Sequence, residues 1–477
     1  MFCFQNITQG GTQMNKNKNN VKCGSGKSSD KMRVASEITK INPDVAGMDL
    51  GSEEHWVCVP SDRADKNVQR FGVFTEDFRK LAAFLRASRI SSVAMESTGV
   101  YWIPLYEFLD KEGFEVVLVN ARHLKSVAGR PKTDVYDCQW IQRLHSYGLL
   151  QGSFRPSDKI CELRGLTRHR AELVVEAGTK IQHMQKALQQ MNIRLDKAVS
   201  DITGKTGTQI IERIIAGDRN PKELAKLRDS RVHASENEIA EALDGNYRRE
   251  HLFALKQSYE SMCFIHEQME ACDEEIKKVL DVLDKKLDST KASPLQPRKG
   301  SKRSNKNQPH FELRPALYEI YGVDLTQADG FQAATVLSLL SELGPDLSKF
   351  RSGKYFTSFL GLCVNKEISG GKILTNKTRK VQSRAAKAFR MAAQSLKESN
   401  CYLGRFYRRI KIKAGAPKAI TATARKLAVI FYNMVTRKEE YKPIDPDAFD
   451  KKYQERILKS LKKRAQSMGF DLVPAEV

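Results

Sequence analysis

Residues 45–52 read VAGMDLGS, a short apolar run that ends in a single carboxylate, Asp49. The run predicts a buried β-strand, and residues 55–59 (HWVCV) predict a second strand after a short turn. A carboxylate at the end of a buried strand is unfavourable unless it meets a cation or a hydrogen-bond donor. The surrounding sequence should therefore supply a partner for Asp49.

The pattern that follows is typical of an α/β fold. Strands are predicted at 45–50, 55–59, 69–74, 92–96 and 115–119, with helices after the third, fourth and fifth strands. The first three strands are closely spaced and pair as antiparallel hairpins, whereas the last two are joined by a helical crossover and run parallel. Because this is the order of ribonuclease-H-like folds, that fold is predicted for residues 41–156.

Four acidic residues should meet at one end of this sheet. Asp49 ends the first strand, Glu96 ends the fourth, and Asp134 and Asp137 are three residues apart on one face of the last helix. Four neighbouring carboxylates cannot all stay ionised without cations, and hard divalent ions such as Mg²⁺ take oxygen ligands. The set predicts a site for two Mg²⁺ ions that acts on a phosphodiester.

Each acidic residue also has an ordinary explanation, since an Asp pair at i, i+3 is usually a solvated helix face. The segment 49–52 (DLGS) resembles the first phosphate loop of actin-like and sugar kinases, but no second DxG-type loop is suitably placed. Residues 24–28 (GSGKS) resemble the end of a phosphate-binding loop, yet the first glycine of that motif is missing and no apolar strand precedes it.

The charge balance makes a polyanion the expected partner. The 477 residues include 80 Lys+Arg and 57 Asp+Glu, a formal net charge of +23. Residues 368–438 contain 18 Lys and Arg but one acid, Glu398, a density that suits a phosphate backbone. The basic residues expected to contact nucleic acid are Arg130, Lys132, Lys372, Arg379, Lys380 and Arg384.

Other functional classes find no support. There is no apolar run of eighteen residues and no signal-peptide pattern, and the nine cysteines are scattered without metal-ligand spacing. A cytoplasmic, bacterial-type, nucleoid-associated location is expected.

The remaining chain is predicted to be mainly helical. Residues 1–40 should be a disordered leader, 157–286 an α-helical coiled-coil arm, 287–312 a basic linker, 313–438 a second helical domain and 439–477 a polar tail. His266 and Asp273 are placed in the seam of the arm, where register-setting polar residues are favoured over a metal site. A solvated hinge is the default interpretation of the linker.

Six segments resemble one family, the DEDD transposases of insertion sequences, which are bridge-RNA-guided recombinases. The matching segments are VAGMDLG, AMESTGVYW, VNARHLKSVAGRPKTDVYDCQWI, LLSELGPDLSKFRS, FTSFLGL and KEISGGKILTNKTRKVQSRAAKAFR, in the order of the family. They cover about 45–155 and 313–435. From the residues alone, Ser369 would be an ordinary turn serine in a glycine turn.

The resemblance implies a RuvC-like N-terminal domain with Asp49, Glu96, Asp134 and Asp137 as metal ligands, and a C-terminal domain with Ser369 as nucleophile. It further implies a covalent protein–DNA intermediate, a structured guide RNA, and a homo-oligomer, a dimer or tetramer, whose active sites are composed from two subunits. The predicted function is that of an Mg²⁺-dependent DNA transposase or recombinase. The alternatives are a RuvC-like, hydrolytic, structure-specific endonuclease and a nucleic-acid-binding scaffold without enzymatic activity.

Overall fold

The computed structural model describes residues 40–97, 99–120, 133–287, 294–297 and 307–473. The chain divides into two units, Met1–Phe154 and Arg155–Val477. The predicted leader, apart from residue 40, lies outside the described residues, as do Arg130 and Lys132. In the part of the chain that the structure describes, no helix is both long enough and apolar enough to cross a membrane.

A mixed five-stranded sheet forms the centre of the first unit. Its strands are β1 (Val45–Leu50), β2 (His55–Cys58), β3 (Val68–Phe71), β4 (Ser92–Glu96) and β5 (Glu115–Val119), in the order β3-β2-β1-β4-β5. The β1–β2 and β2–β3 pairs are antiparallel, and the β1–β4 and β4–β5 pairs are parallel. A sheet of this kind with its helices fits a ribonuclease-H-like domain, as predicted.

Among the described residues of the first unit, three helices accompany the sheet: α1 (Thr75–Ala87), α2 (Trp102–Lys111) and α3 (Asp134–Ser146). Leu81 and Leu85 of α1 and Leu105 and Leu109 of α2 are fully buried, because an i, i+4 spacing places each pair on one helix face. They share one apolar core with side chains of β1 and β4. This core covers one face of the sheet, and α3 packs against β1.

Two long helices dominate the start of the second unit. The helices up to residue 281 are α4 (Asp158–Gln190), α5 (Leu195–Ala198), α6 (Lys205–Ala216), α7 (Pro221–Ala225), α8 (Glu236–Ala242) and α9 (Arg249–Asp281). Helices α4 and α9 pack along each other. The short helices between them share an apolar core with the adjoining parts of α4 and α9, with Ile210, Ile214 and Ile239 fully buried.

An ion pair is buried between these two long helices. Asp273 is 2% exposed, and its Oδ2 atom accepts hydrogen bonds from Arg170 Nη2 at 3.0 Å and from the backbone N–H of His310 at 3.2 Å. The Nη1 atom of Arg170 donates to the carbonyl oxygen of Asn307 at 2.9 Å. His266, in contrast, is exposed, so its predicted seam position is wrong. The buried seam passes through Met262 and Ile265, and one residue further along a helix points about 100° away.

The C-terminal part is helical except for one hairpin. Its elements are α10 (Leu313–Tyr321), α11 (Ala333–Leu343), α12 (Gly353–Phe359), β6 (Val364–Ser369), β7 (Lys372–Thr378), α13 (Arg384–Ser395), α14 (Tyr402–Ala414), α15 (Ala416–Arg437) and α16 (Pro446–Ser467). Four buried rings, Phe331, Phe356, Phe389 and Phe431, meet in the core of these helices with centroid distances of 5.6–6.3 Å. The segment predicted as a polar tail therefore contains a helix of 22 residues, α16.

Part of the predicted linker lies against this domain. The carbonyl oxygen of Gln296 accepts hydrogen bonds from Arg314 Nη2 at 2.6 Å and from Gln327 Nε2 at 3.1 Å. These contacts differ from a fully solvated hinge. Residues 288–293 and 298–306 of the linker lie outside the described part of the chain.

Candidate active site

Asp49 lies one residue before the end of β1, the central strand. In the antiparallel β1–β2 pair it is opposite Trp56, and the turn that follows is closed by a hydrogen bond from Gly51 N–H to the carbonyl oxygen of Glu54 at 2.9 Å. The rest of β1 is buried, as expected for a strand with neighbours on both sides, whereas Asp49 is partly exposed. The carboxylate therefore stands at the edge of the apolar core.

Glu96 reaches the same end of the sheet through the parallel pairing of β1 with β4. Met48 is opposite Met95 in this pair, so Asp49 and Glu96 are the next residues along two neighbouring strands. Glu96 is the last residue of β4. The sequence prediction that both strand ends bring a carboxylate to this edge matches the register.

Asp134 and Asp137 occupy the first turn of α3. The Oγ1 atom of Thr133 caps this helix by accepting a hydrogen bond from Tyr136 N–H at 3.4 Å. The helix dipole favours negative charge in a first turn, so it partly offsets the repulsion between acidic groups placed there.

Gly47 sets how closely α3 approaches β1. A Cβ atom at this position would lie 2.1 Å from the backbone nitrogen of Gln142 and 2.5 Å from the carbonyl oxygen of Cys138. Only a glycine lets the backbone of α3 rest directly on the strand. The glycine two residues before Asp49 thus brings the helix that carries the acidic pair next to it.

The electrostatic environment of Asp49 shows that the four acidic residues influence one another. Burial and, in decreasing order of effect, the negative charges of Asp137, Glu96 and Asp134 together raise the pKa of Asp49 from 3.8 to about 6. The backbone N–H of Leu50 lowers it slightly by hydrogen bonding. The fold therefore assembles the four predicted carboxylates around one partly buried point.

The donor set suits a hard divalent cation. Carboxylate oxygens are the ligands that Mg²⁺ prefers, and a cation would relieve the repulsion at Asp49. Within the described residues, however, no group of three or more His, Cys, Asp or Glu side chains is arranged so that it could hold a metal ion. The chemistry and the electrostatics fit, but the side chains do not form a ready coordination sphere.

Ser369 lies in the second unit, at the tip of the β6–β7 hairpin. It is paired with Lys372, and the two residues between them, Gly370 and Gly371, have φ values of +54° and +76°. Positive φ at both positions is the requirement of a two-residue type I′ turn, which explains the two glycines. Every residue of β6 is exposed, so the serine hydroxyl is open to solvent.

The predicted basic residues of this domain surround the hairpin in sequence. Lys372 begins β7 opposite Ser369, and Arg379 follows β7 and donates to the carbonyl oxygen of Ser358. Lys380 is exposed, and Arg384 is the exposed first residue of α13. These four cations thus lie on the hairpin or in the short connection after it.

Two family models match the chain in the two regions just described. A transposase model for DEDD transposases of the IS110 type matches residues 46–193, and a model described as the transposase IS116/IS110/IS902 family matches residues 324–408. The chain belongs to the IS110-type family of DEDD transposases. No curated protein matches it significantly. The two transposase matches identify a DNA-acting enzyme, and members of the DEDD transposase family typically use divalent metal ions.

Two features of this DEDD transposase were not predicted from the sequence. The role of Gly47 in helix packing could have been suspected, because an isolated glycine within a strand often marks a close backbone approach. The two strands of the hairpin were interpreted only as a glycine turn between helices. Most of their residues are exposed, none is buried, and they are mixed in polarity, so no alternating apolar pattern indicated β-structure.

Proposed function

We propose that this transposase cuts and exchanges DNA strands during insertion-sequence transposition, with an Mg²⁺-dependent, RuvC-like acidic site and with Ser369 as the nucleophile. The observation that supports the acidic site most directly is geometric: the strand register brings Asp49 and Glu96 to one edge of the sheet, and Gly47 lets the helix that carries Asp134 and Asp137 rest on the same strand. Neighbouring carboxylates repel one another unless a cation is bound, and perturbed acidic groups of this kind cluster at functional sites.

The metal would be held by four carboxylates, and two ions are proposed. The four ligands are Asp49, Glu96, Asp134 and Asp137. Bound Mg²⁺ stabilises the negative charge that develops on an attacked phosphodiester. The role of Gly47 is to keep α3, and with it Asp134 and Asp137, against the strand that carries Asp49.

Ser369 supplies the attacking oxygen. Its Oγ atom forms a bond to phosphorus, the bond from phosphorus to one deoxyribose oxygen breaks, and the hydroxyl proton leaves to solvent while the departing oxygen takes one up. A deoxyribose hydroxyl of a second strand then attacks the same phosphorus and releases Ser369. Lys372, Arg379, Lys380 and Arg384, together with Arg130 and Lys132, are proposed to neutralise the phosphate backbone during these steps.

The proposal includes partners that rest on the family resemblance. A structured RNA from the element would select donor and target DNA by base pairing. The enzyme would act as a dimer or tetramer, and its subunits would be joined through the coiled-coil arm that α4 and α9 form. Buried residues of α9, which include Met262, Met269 and Ile276, follow one another at alternating spacings of three and four.

The test is to trap a covalent protein–DNA adduct with Mg²⁺ and element-end DNA. Ser369→Ala should abolish both the adduct and recombination, and Asp134→Ala should abolish both while the protein stays folded. Thr375→Ala, which removes another hydroxyl group of the same hairpin, should leave both intact. Strand cleavage without an adduct in the wild-type enzyme would favour the hydrolytic endonuclease, and full recombination by Ser369→Ala would remove the serine from the mechanism.

A further inference from the structure

Helix α16 carries six of its seven basic residues on one face, and Arg464 lies outside that face. A helix turns about 100° per residue, which places six cations within a sector of about 140° and along about 18 Å of the helix axis. The six are Lys451, Lys452, Arg456, Lys459, Lys462 and Lys463. Glu455 is the one acid among them, and among the described residues no carboxylate pairs with any of the six. The helix lies outside both segments that match the family models.

Only the first two turns of α16 are attached to the domain. Asp450 accepts from Arg405 Nη1 at 2.7 Å and from Arg409 Nη2 at 2.8 Å. The ring of Phe449 packs edge-on against Tyr402 with centroids 4.5 Å apart, and the guanidinium group of Arg409 lies 3.7 Å from the centroid of Tyr453. This attachment fixes the direction of the helix and leaves its basic face open.

The charge on this face favours a polyanion over the other possible occupants. The opposite face exposes Ile457, Leu458 and Leu461 to 40%, 49% and 47%. Three such side chains are too few for the 1,200 Å² or so that a stable interface between copies buries. A helix that lies on a membrane usually inserts aromatic side chains as well, but Phe449 and Tyr453 of α16 already pack against α14, and the exposed Phe470 lies beyond the end of the helix.

We propose that the basic face of α16 is an accessory contact for the phosphate backbone of duplex DNA. Duplex DNA carries one negative charge per about 1.7 Å of its axis, so a straight row of cations about 18 Å long can follow several phosphates. Such a contact holds DNA without reading its sequence. The inference rests on the proposed action on DNA, but DNA binding is measured without any cleavage.

The experiment compares the salt dependence of binding to a duplex of about 30 base pairs for the full-length protein and for a variant with Lys459→Gln, Lys462→Gln and Lys463→Gln. Glutamine keeps helix propensity close to that of lysine. The slope of log K against log salt should become shallower by about 2 to 3. Between 50 and 200 mM salt the wild-type protein should therefore lose about 40-fold more affinity than the variant. An unchanged slope overturns the proposal.

Three further variants sharpen the result. Glu455→Gln should bind DNA more tightly, because it removes the acid on the basic face, and Leu461→Gln should bind as the wild type does. An effect of Leu461→Gln as large as that of the three lysine changes would overturn the proposal in favour of an apolar contact. Ser369→Ala should keep the full salt slope, so that failure of the serine mechanism and failure of the α16 contact give different results.

Two other ligands test the assignment to DNA. If the three lysine changes weaken binding to vesicles of phosphatidylserine but leave the DNA slope unchanged, the partner is a membrane and the proposal is wrong. If they change the slope only on duplex RNA of the same length, the contact belongs to RNA and the assignment to DNA is overturned.

Discussion

Replacing Asp49 by Asn should stabilise the first unit of the metal-free protein. The pKa of Asp49 is raised from 3.8 to about 6 in the folded state, so its ionised form is disfavoured by folding. This difference corresponds to about 3 kcal/mol. Because the carboxylate is partly exposed and water screens the charges near it, we expect a gain of about 1 to 2 kcal/mol.

The sign of the pH dependence follows from the direction of the shift. A group with a raised pKa binds its proton more tightly when folded, so the ionised carboxylate lowers stability progressively as the pH rises from about 4 to 6. Asparagine cannot ionise. The advantage of Asp49→Asn should therefore be complete above pH 6 and absent near pH 4. Burial lowers the pKa of His55 and His145 as well, but both proteins share these residues and their contribution cancels in the difference.

The assay is urea unfolding in EDTA, followed by tryptophan fluorescence. The three tryptophans of the chain all belong to the first unit, at positions 56, 102 and 140, so the signal reports on that unit. Asp44→Asn is the matched control, because Asp44 precedes the same strand and pairs with Arg63. Because Asp44→Asn removes the charge that pairs with Arg63, it should lower the unfolding free energy of the first unit or leave it unchanged.

A loss of stability in Asp49→Asn at pH 7, or a gain that is equal at pH 4 and pH 7, would refute this account of the site. Added Mg²⁺ extends the test. Binding to the native state should raise the unfolding free energy of the wild type by about 2.7 kcal/mol at 100 times its dissociation constant, and should raise that of Asp49→Asn much less.

Two further substitutions test the packing of each unit. Gly47→Ala should lower the unfolding free energy of the first unit by about 3 kcal/mol, measured by tryptophan fluorescence, because the new Cβ atom would meet backbone atoms of Gln142 and Cys138 at 2.1 and 2.5 Å. The control, Gly152→Ala, should change the unfolding free energy little, because its closest contact is at 3.6 Å. Equal effects of the two substitutions would contradict the packing argument. Tyr321→Phe should raise the unfolding free energy of the second unit by about 1 kcal/mol, because the buried hydroxyl group has no hydrogen-bond partner among the described residues. Unfolding is followed by far-ultraviolet circular dichroism, and a clear loss of stability would show that the hydroxyl group has a partner.

The sequence was informative wherever local patterns determine the structure. The spacing of the strands between 45 and 119 predicts their pairing, because short gaps permit only hairpins and long gaps require a crossover. The positions of Asp49 and Glu96 at strand ends followed directly from that prediction. The approach of Asp134 and Asp137 followed from their place on the next helix.

What the sequence did not predict depends on distant or absent partners. Asp273 is buried because of Arg170, which lies 103 residues earlier on another helix, and only the folded chain shows this pairing. The strands of the hairpin bury no face, so the alternation that normally indicates a strand is missing. Helix α16 has a narrow apolar stripe around Ile457 and Leu461 among many cations, and such a composition resembles an unstructured tail.

Ser369 lies at the tip of an exposed hairpin, so a small rotation at the base of the hairpin moves the serine a long way. The six-residue strand β6 is about 20 Å long, and among the described residues it pairs with β7 alone and buries none of its residues. A rotation of about 10° at the base displaces the tip by about 3.5 Å, more than the length of a hydrogen bond. In the mechanism that we propose, the position of the serine would therefore depend on what contacts the hairpin, and strand cutting would depend on the assembly of the complex around the DNA.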